Sequence, residues 1–265
     1  MKKLSLLATL PIIIVSCKKS SPNPVTPKAL LVSSTISLDL PDTVTTSKSF
    51  TYDDSNRLVK EIDSEKFENN ITDGATINYQ YDANNNVVKI TFIDGNESGE
   101  YNIFYINGQP SYANALLTEG TTIFYNGLYC KYTVQNQNVI SVDAPTSGNF
   151  PSMKCAYSNN NLSTYIEEFY SPTLTITTNY TFGEQNSPFK NSRFKWYLGL
   201  VGFDSLEEYD ENSEESYTSS SNNQNVTIAQ IQNTYNSSGY PTKIVYIYGV
   251  NIPNATETYT YINGK

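Results

Sequence analysis

A recurring tyrosine corner constrains this chain more than any other feature. Tyr52-Asp53-Asp54-Ser55-Asn56-Arg57-Leu58-Val59-Lys60 aligns with Tyr81-Asp82-Ala83-Asn84-Asn85-Asn86-Val87-Val88-Lys89. Tyr235-Asn236-Ser237-Ser238-Gly239-Tyr240-Pro241-Thr242-Lys243-Ile244 is a third copy, and Tyr157-Ser158-Asn159-Asn160-Asn161-Leu162 is a weaker one. In each, an aromatic strand end meets four or five residues rich in Asn, Asp, Ser and Gly, and then an apolar strand start. Asn, Asp and Gly tolerate left-handed backbone angles, and Asn and Asp side chains close local turns, so each copy is a hairpin corner. With looser copies, the anchoring residues are Tyr52, Tyr81, Tyr105, Tyr132, Tyr157, Tyr180, Tyr235 and Tyr261. Their spacing clusters near 26 residues, apart from one interval of 55 that corresponds to about two periods. One period holds two strands and two turns.

Between corners the pattern alternates with period two. Leu174, Ile176, Thr178, Tyr180 and Phe182 fall on one face, and Thr173, Thr175, Thr177, Asn179 and Thr181 on the other. Ile77, Tyr79 and Tyr81 oppose Asn78 and Gln80, while Ile36 and Leu38 oppose Ser37 and Asp39. Such alternation, enriched in Thr and Tyr, predicts antiparallel strands with one buried and one wetter face. With 38% hydrophobic and 13% aromatic residues the chain can build a core. The expected fold is all-β: an antiparallel meander of repeated hairpins in one strongly twisted or curled sheet, a half-barrel or a two-layer arrangement. It would occupy residues 28–265 as a single domain, with the last strand, Glu257 to Ile262, near the end of the sheet.

The N-terminus carries an address. Lys2 and Lys3 precede an apolar run from Leu4 to Val15, too short to span a bilayer but suited to a signal peptide over residues 1–16. Ile14-Val15-Ser16-Cys17 resembles the bacterial lipobox, which implies lipidation of Cys17 and anchoring in a membrane. The alternative is an ordinary secretory leader. Residues 17–27 are polar with three prolines, an extended linker. Cys17-Lys18-Lys19-Ser20-Ser21 has no acidic residue, so the resemblance to surface-export signals of Bacteroidota is weak, and the outer-membrane face is left open.

At its corners the chain resembles the YD-repeat-like (RHS-type) lipoproteins of Bacteroidota, a group largely of unknown function. The Tyr-Asp-x-x-x-Asn-x-x-Val-Lys-Ile copy carries the likeness, and Tyr180 to Phe189 resembles their late Asn-Pro-Phe element with Ser187 inserted. The resemblance implies a β meander and an envelope location, and transfers no catalytic residue. Asp42-Thr43-Val44 and Asp204-Ser205-Leu206 resemble the O-glycosylation sequon of the same bacteria, with Thr43 and Ser205 as acceptors.

Chemistry is narrowed by what is missing. The sequence has no His, which removes imidazole metal sites and His-based nucleophile systems. A formal charge of −9, from 17 Lys and Arg against 26 Asp and Glu, disfavours nucleic acid. No cofactor or metal is indicated. The long interval between Tyr180 and Tyr235 holds the strongest candidate for binding. There Phe189, Lys190, Arg193, Phe194, Lys195, Trp196 and Tyr197 interleave cations with aromatics, a composition suited to a glycan or protein partner. The same composition fits a loop capping the sheet. Downstream, the acidic run from Asp204 to Glu215 and the Ser, Asn and Gln tail as far as Asn225 read as a solvated, partly disordered loop.

Glu167 and Glu168 are adjacent on a strand, so they point to opposite faces and cannot form a hydrolytic pair. Cys130 and Cys155 sit two residues before corner tyrosines, one hairpin apart. That places them about 9.5 Å from each other, which favours two thiols; a disulfide would need strand pairing other than a simple meander. The functional expectation is a non-catalytic binding or scaffold module of the envelope. A carrier of an apolar ligand and a carboxylate-based hydrolase are the alternatives.

Overall fold

The computed structural model describes residues 29–38, 44–67, 70–136, 138–145, 152–159, 161–170, 173–188, 190–191, 212–221, 224–247 and 254–264. The first strands are β1 (Ala29–Leu38), β2 (Val44–Tyr52), β3 (Leu58–Phe67), β4 (Asn70–Tyr81), β5 (Val87–Asp94) and β6 (Glu97–Ile106). They are followed by β7 (Gln109–Glu119), β8 (Thr122–Gln135), β9 (Asn138–Asp143), β10 (Ser152–Ser158) and β11 (Asn161–Tyr170). The last are β12 (Thr173–Asn186), β13 (Asn212–Ser221), β14 (Gln224–Tyr235), β15 (Pro241–Ile247) and β16 (Ala255–Asn263). Each pairs antiparallel with its sequence neighbours, and β1 also pairs with β16, through Leu30↔Ile262, Ser34↔Tyr259 and Ile36↔Glu257. The antiparallel meander is the expected one. Its curl continues past a half-barrel, so the final strand meets the first and no open edge remains.

The eight tyrosines mark the eight even-numbered strands at one end of the barrel. The interval of 55 residues is therefore not two periods. It holds one hairpin, β13 and β14, plus the connection 187–211, which stands where a short corner would be. The expectation of a loop as far as Asn225 is corrected with it. Glu214, Glu215 and the serines up to Ser221 lie on β13, paired through Tyr180↔Tyr217 to β12 and Ser219↔Val226 to β14. Two flanking strands supply this segment's ladder, which outweighs its poor intrinsic β propensity.

Three corners share one geometry. Asp53 Oδ1 accepts the N–H groups of Ser55 (2.8 Å) and Arg57 (3.0 Å); Asp82 Oδ1 does so from Asn84 and Asn86 (both 2.8 Å), and Asn236 Oδ1 from Ser238 (2.9 Å) and Tyr240 (3.1 Å). The residue three places on is left-handed: Asn56 at φ 60°, Asn85 at 66° and Gly239 at 78°. This is why the copies need Asp or Asn first and Asn or Gly fourth. The Arg57 guanidinium also grips Asp53 Oδ2 at 2.6 Å, lies 4.8 Å from the Tyr81 ring centroid and donates to Asn85 Oδ1 at 3.2 Å, tying adjacent corners together. Burial pulls the Asp53 carboxyl up, but the bonds from Arg57 and Ser55 outweigh it and hold it below its ordinary value.

The tyrosines follow from the next level of packing. A register shift precedes Tyr52, Tyr81, Tyr105, Tyr157 and Tyr235, the signature of a β-bulge that re-aims the side chain. Tyr81 pairs forward with Val87, while its hydroxyl donates backward to the Leu58 carbonyl at 2.7 Å. Tyr105 does the same to Val87 at 3.0 Å, and Tyr157 to Val139 at 2.9 Å. Each such tyrosine stitches its own corner to the preceding one.

Inward side chains form one hydrophobic cluster, including Leu58, Ile77, Ile90, Tyr101, Ala113, Val139, Leu162 and Tyr259. Burying each large apolar member contributes about 1.5–3 kcal/mol, offset largely by chain entropy. Gly99 is part of this packing: a Cβ there would collide with the Phe92 ring. Most inward side chains of β3 to β9 are buried, whereas Cys155, Glu167, Tyr180, Ile231 and Tyr246 on β10 to β15 are half-buried beside buried Leu162, Tyr165 and Ile244. The outer wall carries Thr45, Ser47, Ser49 and Thr51 on β2, Thr175, Thr177, Asn179 and Thr181 on β12, and Thr256, Thr258 and Thr260 on β16. Exposed apolar side chains, among them Ile93, Phe104, Ile106, Leu116, Ile123 and Phe124, are concentrated on β5 to β8, with Ile62 on β3 and Ile262 on β16.

Candidate functional site

Where the barrel closes, the inward face turns polar. Ser34 on β1 pairs with Lys48 on β2 and with Tyr259 on β16; Glu61 on β3 pairs with Phe50 and Ile77; Glu257 on β16 pairs with Ile36. Directly opposed residues share a face, so alternation alone delivers a lysine and two glutamates into the lumen. Lys48 Nζ lies 3.3 Å from Glu61 Oε1, and the Tyr79 hydroxyl donates to Glu61 Oε2 at 3.1 Å. The Tyr246 hydroxyl donates to Glu257 Oε2 at 3.4 Å. Glu61 is 0% exposed and Glu257 1%.

Burial pushes the Glu257 carboxyl above its ordinary value, against the bonds from Tyr259 and Ser34, the Lys48 charge and the Tyr246 bond. Burial, with a smaller contribution from the Glu61 charge, also raises the Tyr52 phenol. One ammonium thus serves two sealed carboxyls. The cluster can hold and release a proton, but it does not admit a substrate, because both carboxyls are closed to solvent.

A pH dependence follows. The folded-state pKa of Glu257 is raised, so its proton is held more tightly in the folded chain than in the unfolded one. The associated stability is fully present below the unfolded value and is lost as pH rises through the folded one. Glu257→Gln is expected to abolish that loss, so its urea midpoint should exceed the wild type's toward alkaline pH and converge with it in acid. Parallel midpoint-against-pH curves for the two proteins would refute the assignment.

Of the residues singled out in the sequence, Lys190 is described and exposed, its N–H directed at the Ser187 carbonyl at 3.4 Å. Phe189, Arg193, Phe194, Trp196 and Tyr197 lie outside the described residues, as do Cys17, Thr43 and Ser205. The base of that stretch is fixed: Asn191 Nδ2 donates to the Ala29 carbonyl at 3.0 Å and to the Tyr240 hydroxyl. Asn186 donates through its backbone to Gly239 (3.0 Å) and through its side chain to Ser238 (3.1 Å). Ala29, Asn191 and the tyrosine corners therefore meet at one end of the barrel.

Glu167 and Glu168 do face opposite ways. The first accepts from Tyr165 at 3.0 Å, and the second meets Lys154 at 2.7 Å on the outer wall. Cys130 and Cys155 form no disulfide; they lie on β8 and β10 with β9 between them, and burial pushes the Cys130 thiol up to about 11, which makes it inert. Sequence reasoning missed the lysine and glutamate cluster, although Ala255-Thr256-Glu257-Thr258-Tyr259 already places Glu257 on the Tyr259 face.

Comparison with protein families and with curated proteins finds no match. Among solved structures, the fold is similar to that of a porin-like protein from Bacteroides uniformis, 11% identical with a TM-score of 0.53, covering 88% of this chain and 96% of that one. It is similar also to a porin-like protein from Bacteroides vulgatus, 10% identical with a TM-score of 0.51, covering 89% of this chain and 99% of that one. At these identities the likeness is one of fold: an all-β barrel built end to end on the same plan.

Proposed function

We propose that this protein is a non-catalytic binding or scaffold module of the bacterial envelope, a water-facing barrel held at the outer membrane by lipid on Cys17. The observation that carries the reading is the inversion of the barrel wall. A membrane-spanning barrel presents an apolar band to lipid and a polar lumen. Here Thr, Ser and Asn line the outside of β2, β12 and β16, so the exposed apolar side chains of β5 to β8 are not continued into a band around the barrel, and Leu, Ile and Tyr line much of the inside. A wall of hydroxyls facing hydrocarbon would lose its water without compensation, so porin-like conduction does not suit this chain.

The packed inner faces of β3 to β9 disfavour an apolar-ligand carrier, and the sealing of Glu61 and Glu257 disfavours a hydrolase. What remains is presentation of a surface. The tyrosine-corner end is suited to it, since Ala29 and Asn191 are bonded there and the stretch containing Arg193, Phe194, Trp196 and Tyr197 starts from it. With the linker over residues 17–27 fully extended, Ala29 stands at most about 40 Å from the lipidated Cys17, so this end would work near the membrane.

The test is fractionation of cells producing the full chain or Cys17→Ser, combined with acrylamide quenching of the single tryptophan, Trp196. Wild type in the membrane fraction, the variant released as soluble protein and strong quenching are expected. A variant still in the membrane would overturn the anchor, and a poorly quenched tryptophan would overturn its role in capturing a protein or glycan partner.

A further inference from the structure

The wall from β5 to β8 shows large apolar side chains to solvent, and the strand register sets them on one face. Ile93 pairs with Ser98, Ser98 with Thr118 and Thr118 with Ile123; one row nearer the tyrosine corners, Glu100 pairs with Leu116 and Leu116 with Asn126. The next two rows carry Asn114↔Leu128 and Phe104↔Tyr112. Directly opposed residues share a face, and here it is the outer one, because buried Tyr101, Ile103, Ala115 and Leu117 alternate with them. Each of four successive rows therefore offers an apolar side chain to solvent. Phe124 is added where β8 carries one residue more than β7, between Ile123 and Tyr125. Ile93, Ile123 and Phe124 are 61%, 57% and 56% exposed, and a recess of about 300 Å³ lies between Ile93 and Leu116. Apolar surface concentrated in this way marks a contact face.

Area and charge select what meets it. The rows span about 20 Å along the strands and about 14 Å across them, roughly 300 Å², against about 800 Å² that each partner of a standard protein complex buries. Thr91, Asn102, Asn114 and Asn126 share the face, which interrupts the dry core that a protein interface needs. A second copy would also bring a second charge of −9. A lipid surface asks for less. Its headgroup layer keeps threonine and asparagine hydrated, while branched and aromatic side chains reach the acyl boundary. The charges on this face are matched: Lys89 Nζ meets Glu100 Oε2 at 2.5 Å, and Lys131 stands opposite Asp143. Asp94, Glu97 and Glu119 alternate with Ile93, Ser98 and Thr118 and so belong to the inner face at the far mouth.

Reach permits the contact. Ala29, the first residue of β1, is five strand spacings from β6, about 24 Å around the wall. The linker's reach of about 40 Å exceeds that, and a tether supplies the local concentration that so small a face requires.

We infer that the β5–β8 wall rests on a lipid bilayer through Ile93, Leu116, Ile123, Phe124, Leu128 and Phe104. The inference rests on the reading of the barrel as a lipid-anchored module and gives that module an orientation, with the hydroxyl wall of β12 left in water.

The experiment places the full chain in phosphatidylcholine vesicles with bromine on the acyl chains. Phe124→Trp and Thr177→Trp, each combined with Trp196→Phe, serve as reporters of the two walls. Bromine should quench the first by about twofold or more and leave the second unchanged. Flotation of soluble Cys17→Ser with unbrominated vesicles then tests the face without its tether. Association should appear at millimolar lipid and persist in about 0.5 M salt, because it is apolar. The triple variant Ile93→Thr, Ile123→Thr, Phe124→Thr should weaken it about tenfold with the thermal midpoint unchanged, since threonine keeps the strand propensity of these exposed positions.

Equal quenching at the two positions, flotation indifferent to the triple variant, or binding confined to phosphatidylglycerol vesicles and lost in salt would overturn the lipid face. A dimer of Cys17→Ser in sedimentation that the triple variant abolishes would give the wall to a second copy and overturn it too. Flotation that the triple variant weakens, in a chain found without lipid on Cys17, would leave the face standing and overturn the anchor, so the two can fail separately.

Discussion

Lys48→Met is expected to lower the unfolding free energy by about 3–5 kcal/mol, the usual cost of leaving one partner of a buried ion pair uncompensated. Glu61 is fully buried, and Lys48 Nζ stands 3.3 Å from it. Removing the ammonium forces Glu61 either to stay ionised in a low-dielectric lumen or to take up a proton at neutral pH. In both cases the folded state alone is penalised, because in the unfolded chain the carboxylate is hydrated. The loss should therefore shrink as pH falls through the carboxylate range, where protonation is no longer costly.

The double variant Lys48→Met with Glu61→Gln should recover most of the stability, since the side-chain amide keeps an oxygen to accept from the Tyr79 hydroxyl, 3.1 Å away in the wild type. Urea unfolding of wild type, both single variants and the double variant gives the coupling directly. A single-variant loss under about 1 kcal/mol would mean that the pair behaves as a surface ion pair and that the seam does not depend on it.

The strands were legible because a period-two pattern is local: each run such as Leu174 to Phe182 announces its two faces without reference to the rest of the chain. The corners were legible for the same reason, since Asp53 and Asp82 close their turns onto residues two and four places on. Closure was not. It depends on Ser34 finding Tyr259 across the length of the chain, a pairing that no window of the sequence contains. The segment from Asn212 to Ser221 was misjudged because its ladder is supplied by β12 and β14, while its own residues favour turns. Of the sites, the charged cluster was half legible: Glu257 alternates with Tyr259, but its approach to Lys48 needs the closed barrel.

Tyrosine's recurrence was plain from the sequence, whereas its reason lies in three hydroxyls. Phenylalanine would fill the same inward space, so burial does not explain why the position is tyrosine; the backward bonds to Leu58, Val87 and Val139 do. Each donor satisfies a carbonyl on a buried residue at a strand start, where neighbouring bulges disturb the ladder. Tyr81→Phe, Tyr105→Phe and Tyr157→Phe should each cost about 1 kcal/mol, the net worth of a hydrogen bond whose acceptor is then left in an apolar setting. Neighbouring members of the set lie two strands apart or more, about 9.5 Å at the least, so the triple variant should lose about 3 kcal/mol by near-additivity.

Tyr112, on the outer wall and stacked on Phe104 with centroids 4.5 Å apart, provides the control, because Tyr112→Phe keeps its ring contact and should leave the urea midpoint unchanged. If the triple variant unfolds at the wild-type midpoint, the hydroxyls do not hold the corners together, and the repeat must be explained by ring packing alone. If it loses far more than the sum of the singles, the three latches act cooperatively, which would tie the rigidity of that end of the barrel to all three together.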